Sequence, residues 1–393
     1  MTKLNRRRGG RPLGFIAIIG MLVLALAVAA CGSTSSSTTS ASSGSSGGSS
    51  TAASSGSAST SAAAAALTPY KTAPTTINIT TPLKSAPPSG KTIVMLGTNN
   101  PSNVIIQQGL AKLAQMAHWN YSLVSYDPAN PGTFTQAETT ALAKHPQYLV
   151  EAGLPLTASQ LAMAKSAGAK WILDSVYPVS VASPVIGQVD SYAQDALMGK
   201  ITADYFVSDS GGKGNAVIEH VPAYPILDGF TTGFANEVKA QCPGCKLSTT
   251  NITIPDLVAG KVPSDLVSAL RSNSSANYLV FDDGPFADGV TSALSAAGLN
   301  GKVKIIGEAA DQAGIAALKS GSEAAWTGFD PGYQAYEDMD IAFRDAEGTT
   351  IPLSQEGTQP TQLLTKDTIG STTNWSAPTD AQAQFLKLWH LSS

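Results

Sequence analysis

Few residues in this chain have the type and spacing to do chemistry. Cys242-Pro243-Gly244-Cys245 is one CxxC pair. In a reducing compartment such a pair works in redox or metal chemistry. Outside the cell, two cysteines this close form a disulfide, and a loop this small adds about 2 kcal/mol or less. The pair closes a predicted helix, whereas a thioredoxin-like pair opens one, and a single CxxC does not supply a zinc site. His118, His145, His220 and His390 share no metal-ligand spacing. The chain has no HExxH, no Walker loop and no serine-nucleophile elbow. Gly211-Gly212-Lys213-Gly214 precedes a predicted strand, where a dinucleotide loop must follow one. The expectation is a protein that is not an enzyme and carries no cofactor and no metal. What remains is binding. Thr98, Asn99, Asn100, Ser102 and Asn103 form a polar, uncharged loop. Tyr177, Tyr224 and Phe286 are candidates for apolar contact with a ring.

These residues need a scaffold. Thr92–Leu96 is a short apolar run rich in β-branched residues, which suits a strand buried on both faces. Ile106, Leu110, Leu113 and Ala117 then recur at helical spacing. The polar loop therefore follows the carboxyl end of a strand, where open α/β folds bind ligands. The rhythm continues with strands predicted at Tyr121–Tyr126, Tyr148–Glu151 and Lys170–Asp174, and helices at Phe134–Lys144 and Ala158–Ala167. Val176–Val189, with Pro178, Pro184 and Gly187, breaks it, and a crossing into a second lobe is placed near Asp190. That lobe repeats the pattern. Its predicted helices are Ser191–Ser208, Leu227–Ala240, Leu266–Ser272, Phe286–Ala297 and Gln312–Lys319. Its strands are Ala216–Glu219, one within Lys246–Ile254, Tyr278–Asp282, Val303–Ile306 and Ala324–Phe329. Gly332–Asp345 is the last clear helix, and Gln382–Leu391 is amphipathic. Alternating strands and helices predict α/β lobes with parallel sheets and a cleft between them.

Of 393 residues, 43% are hydrophobic and 13% charged, enough for a buried core under a weakly charged surface. The first 30 residues hold five basic residues and no acid, leaving 19 basic against 28 acidic side chains beyond them. That balance excludes nucleic acid as a partner. Arg6–Arg8, the apolar stretch Leu13–Ala30 and the small residues before Cys31 describe a signal peptide over 1–30. Val28-Ala29-Ala30-Cys31 resembles a bacterial lipobox, which implies that Cys31 is lipidated and holds the protein on a membrane. Gly32–Ala66 is almost all Ser, Thr, Gly and Ala and lacks the side chains that offset ordering entropy. Residues 31–90 read as a tether that becomes Pro-rich over Pro69–Pro88. About 50 flexible residues span roughly 40 Å.

The order and spacing of several segments resemble the type I periplasmic sugar-binding proteins, the ribose- and galactose-binding family of ABC importers. They are TNNPSNVIIQQGL in the first loop and helix, Asp127–Leu142, AKSAGAKWILD at Ala164–Asp174, and Val189–Phe206. The strongest is YLVFDDGPFADGVTSALSAAGLNG at Tyr278–Gly301, followed by VKIIG. The resemblance implies two Rossmann-like parallel-sheet lobes joined by a three-segment hinge. The first lobe would be 91–190 plus 331–362, and the second 191–330 plus 363–393. It implies that Asn100 bonds sugar hydroxyls, that Ser102 and Asn103 stand where relatives carry ring-stacking aromatics, and that Asp174 accepts ligand hydroxyls. Asp228 falls near a position where an arginine is usual. Asp282-Asp283 matches a ligand-binding pair, with Asp283 favoured. The acid after the next strand is lost or moved to Glu308, with Asp311 nearby, and Asp330 matches a hinge-side ligand contact.

With two arginines absent and several acids retained, the ligand is either polyhydroxylated or a cation. The expected function is a monomeric, extracytoplasmic, lipid-anchored binding protein. It would pass a small polar ligand, foremost a carbohydrate, to an ABC permease and its ATPase. The alternatives are a sensory receptor component of the same fold, a binder of a purine or amine, and a surface glycan hydrolase.

Overall fold

The computed structural model describes residues 51–130, 132–351 and 357–392. The signal segment, Cys31 and the first part of the tether lie outside these residues.

The first lobe is a five-stranded parallel sheet of β1 (Thr92–Gly97), β2 (Asn120–Ser125), β3 (Tyr148–Ala152), β4 (Lys170–Asp174) and β5 (Val185–Val189). Its order is β2-β1-β3-β4-β5. Side chains of a strand alternate between faces, and both faces here are apolar. Ile93, Met95 and Val150 pack against helices α2 (Pro101–Met116) and α11 (Pro331–Glu347). Val94, Leu96, Leu149 and Trp171 pack against α3 (Gly132–Leu142) and α4 (Ala158–Ala167). The second lobe contains β6 (Asn215–His220), β7 (Lys246–Asn251), β8 (Tyr278–Phe281), β9 (Lys304–Gly307), β10 (Ala325–Thr327) and β11 (Leu363–Thr365). Their order is β11-β10-β9-β8-β6-β7, parallel except for β11. One face is covered by α5 (Tyr192–Asp209) and α6 (Asp228–Gln241), the other by α8 (Val262–Ser272), α9 (Val290–Ala296) and α10 (Gln312–Ser320), with the short α7 (Ile254–Val258) packed beside them. Both lobes thus have the doubly wound order, with a switch point beside β1 and beside β6 where ligands bind.

The chain crosses between lobes after β5, after β10 and before β11. These segments are bonded together: Ser191 N donates to Gly357 O at 2.9 Å, and Gly328 N to Gln362 O at 2.7 Å. Gly328 leaves no room for a side chain, because a Cβ there would lie 2.5 Å from the Trp375 indole.

Four expectations need correction. Val185–Val189 is a strand, although Val176–Val189 reads as an interruption. Gly187 fits inside it because a Cβ there would sit 2.7 Å from Ile341 of α11. Phe286–Ala297 is not one helix. A turn over Gly284–Ala287 stops before α9, at Gly289 with φ +78°. The tether does not extend to residue 90. Thr51–Ala66 forms α1, whose Ala63, with Leu67 just beyond, is buried in the second lobe beside α5 and α6. Ile77, Ile79 and Leu83 are buried in the first lobe. The lead-in therefore makes a fourth passage past the hinge. Gln362 Nε2 donates to Lys71 O at 3.4 Å, and Asn78 Nδ2 to Thr358 O at 2.7 Å. Finally, 363–393 does not belong wholly to the second lobe. Its last helix, α12 (Ala381–Leu388), puts Phe385 and, just beyond, Trp389 into the first-lobe core.

Candidate functional site

Three of the chemistry-bearing loops meet between the lobes. The loop after β1 is shaped by its own polar side chains. Asn100 caps α2 by accepting from Ser102 N at 2.9 Å, and Asn103 Oδ1 accepts from Thr98 N at 3.2 Å. With those oxygens committed to the loop, the amide NH₂ groups are the remaining donors.

The second group sits at the ends of β4 and β5. Asp174 is fully buried. Its Oδ1 accepts from Gln334 Nε2 of α11 at 2.6 Å and from the Ser175 hydroxyl at 3.0 Å. Ser175 Oγ is also 2.8 Å from Asp190 Oδ2. Ser175 and Asp190 have φ values of 51° and 49°, and Ala309 on the other lobe has 58°. Non-glycine residues in this left-handed region are uncommon and cluster at functional sites. All three line the cleft.

The third group belongs to the second lobe. His220, ending β6, holds Asp282 Oδ2 at 2.7 Å and Asp228 Oδ1 at 3.1 Å. Burial pulls the imidazole down, but these two acids outweigh it and leave its pKa raised. Asp283 and Glu308 follow β8 and β9, and Asp195 enters from the first turn of α5. Asp195 is placed by close helix packing. In α5, a Cβ at Gly199 would lie 2.1 Å from Phe230 O of α6.

Burial is the largest cause pushing the carboxyls of Asp195, Asp283 and Glu308 well above their ordinary range, with neighbouring acids adding to it. Asp190 is raised to about 7, and Glu151, behind the cleft, to about 8. Asp190 and Asp195 are within hydrogen-bonding reach of each other, as are Glu219 and Asp282. Two carboxyls can bond this way only when one keeps its proton.

The cleft measures about 830 Å³ with its mouth included, and carries Tyr126, Tyr224, Phe286 and Phe329 as its aromatic surface. That size and mixture suit a small ligand. Of the residues expected to face it, Asn100, Ser102, Asn103, Tyr224, Asp283 and Phe286 line it. The other four sit elsewhere. Asp174 lies beneath the lining, bonded to Gln334. Tyr177 is exposed and packs on Tyr192, with ring centroids 4.4 Å apart. Asp228 is half-exposed against His220. Asp330 caps α11, accepting from Gly332 N at 2.8 Å and from Ser376 Oγ at 2.6 Å. Thr98 of the expected polar loop lines the cleft too, and sequence reasoning missed Asp190, Asp195 and Gln334. Asp190 and Asp195 flank the start of a helix after a strand, a pattern that marks them as candidates. Nothing local marks Gln334, which arrives from a distant helix. Trp171 and Trp326 are core residues. Cys242 and Cys245 form a disulfide at the end of α6.

Among the described residues, no group of acids, histidines or cysteines is arranged to hold a metal ion, and no helix is long and apolar enough to cross a membrane.

Solved structures share this architecture. A periplasmic solute-binding protein of an ABC transporter from Actinobacillus succinogenes, with bound D-allose, superposes with a TM-score of 0.62 at 17% identity, covering 72% of this chain and 100% of that one. A 5-methylthioribose transporter solute-binding protein from Thermotoga lettingae gives 0.63 at 16%, covering 79% and 95%. A solute-binding protein from Bacillus halodurans with bound myo-inositol gives 0.61 at 16%, covering 72% and 96%. No curated protein matches the sequence. Residues 92–350, from the first strand through the last long helix, match the periplasmic binding protein domain, and the chain belongs to that family.

Proposed function

We propose that this protein captures a small polyhydroxylated ligand of the carbohydrate class between its lobes outside the cytoplasm and presents the closed form to an ABC importer. The observation that carries this reading is the composition of the cleft. Amide and hydroxyl groups of Thr98, Asn100, Ser102 and Asn103 stand with carboxyls and four aromatic rings around one small-molecule-sized space. Hydroxyls need partners that donate and accept, and aromatic faces suit the C–H surface of a sugar ring. Relatives of this fold have been solved with D-allose, D-arabinose and myo-inositol bound. Binding that engages both lobes favours the shut form, which is the state an importer can distinguish. The protein acts as a monomer, held to the outer face of the membrane through lipid on Cys31.

The test is mass spectrometry of ligand released from the purified protein, with thermal shift against sugars, polyols, purines and amines. A saturating sugar at 100 times Kd adds about 2.7 kcal/mol of stability. A shift with purines alone would overturn the carbohydrate reading. Cys31→Ser should move the protein out of the membrane fraction.

A further inference from the structure

The ionisable groups of the cleft lining are one-sided. Asp190, Asp195, Asp282, Asp283 and Glu308 line it, and no lining residue is Lys, Arg or His. More acids stand behind them: Glu151, Asp174, Glu219, Glu337 and Asp338, each fully buried. The nearby base, His220, is held between Asp228 and Asp282. Three lining carboxyls each keep one buried oxygen that no amide, hydroxyl or imidazole group of the protein bonds: Asp190 Oδ1, Asp282 Oδ1 and Glu308 Oε2. These residues are 5%, 0% and 2% exposed. In two of them the other oxygen is already satisfied, by Ser175 in Asp190 and by His220 and Val221 N in Asp282.

Buried acceptors without donors are costly, and a buried charge needs a counter-charge. A neutral polyol can donate to these oxygens but leaves their charge uncompensated. It therefore binds only while the acids hold protons. A metal ion would also neutralise them, but the described acids are not set to hold one. An ammonium supplies both needs at once, with three N–H donors and one positive charge.

We propose that the ligand carries a protonated nitrogen, as an amino sugar or aminocyclitol does, and that this ammonium is received by the lining carboxyls of Asp190, Asp195, Asp282, Asp283 and Glu308. This rests on the carbohydrate reading and narrows it. The polar loop after β1 and the aromatic rings serve the ring and hydroxyls, and the acidic half serves the nitrogen. Seating a cation there converts protonated carboxyls to carboxylates, so protons leave as the ligand binds.

The experiment is calorimetric titration of the purified full-length protein with matched ligands: D-glucosamine, N-acetyl-D-glucosamine and D-glucose, D-galactosamine and D-galactose, and an inosamine with myo-inositol. Each is measured near neutral pH in two buffers of different ionisation enthalpy. The expected result is that at least one amine binds about tenfold or more tightly than its neutral parent. N-acetylation, which keeps the nitrogen but removes its charge, should abolish that preference. Binding enthalpy should differ between buffers in the sense of proton release. A neutral parent binding as tightly as its amine, without proton exchange, overturns this inference and leaves the carbohydrate reading standing. Failure of every sugar, charged or neutral, overturns both. Glu308→Gln and the pair Asp190→Asn with Asp195→Asn should each narrow the preference for amine over parent. A preference unchanged in folded variants also overturns the assignment, and the ligand series decides even if a variant fails to fold.

Discussion

Asp283 and Asp174 both stand at the carboxyl ends of parallel strands, yet they have different work. Asp283 lines the cleft, whereas Asp174 lies beneath it and holds Gln334 and Ser175 in place. Substitution should separate them. Asp283→Asn keeps the shape and removes the charge, so ligand affinity falls about tenfold or more while the melting temperature holds or rises. Asp174→Ala leaves the Gln334 amide short of an acceptor in a buried place, and stability drops by about 1–3 kcal/mol. Denaturant unfolding alongside ligand titration reads both; an Asp174 variant of unchanged stability would remove it from the scaffold. The sequence shows an acid at each strand end, but not which side of the lining it falls on, because that depends on α11 arriving from some 160 residues away. The local signal for Asn100, Ser102 and Asn103 was sufficient, since the loop that presents them is built from its own side chains.

The elements were legible where pattern and propensity agree. Ala158–Ala167 and Lys170–Asp174 have the bounds that their spacing predicts, and the helix is framed by the Thr157 capping box and by Gly168 at φ 73°. They were illegible where tertiary contact overrides local character. β5 follows prolines and contains a glycine, but it is a strand because Ile341 needs that space. The lead-in was hardest to see, because its Ala-, Pro- and Thr-rich composition suggests a tether, and only Ile77, Ile79 and Leu83 betray the packing. Removing one of them tests this. Ile79 is 1% exposed, so Ile79→Ala should cost about 2–4 kcal/mol in denaturant unfolding, and a true tether residue would cost nothing. The Cys242–Cys245 disulfide closes so short a loop that its reduction should lower stability by about 2 kcal/mol or less.

For the molecule as a whole, the excess of buried acid sets the response to pH. The folded chain keeps protons on Asp190 up to about 7 and on Glu151 up to about 8, whereas the unfolded chain loses them near 4. Stability from this source is complete below about pH 4 and is lost as pH rises through 7 to 8. The ligand-free protein should therefore melt several degrees lower at about pH 8 than at about pH 5. A melting temperature that climbs over that interval would contradict the burial of these groups. The lead-in has a mechanical consequence at the same scale. With the lipid anchor proposed at Cys31, any pull on that end would reach the described residues through α1 on the second lobe. The chain then passes the hinge at Lys71 and grips the first lobe over Ile77–Leu83, where Asn78 also bonds Thr358. Under that proposal, force from the membrane would be applied across the two jaws rather than to one, like a cord tied to both handles of a pair of tongs, so tension in the anchor would load the same rotation by which the clamp is proposed to open and shut.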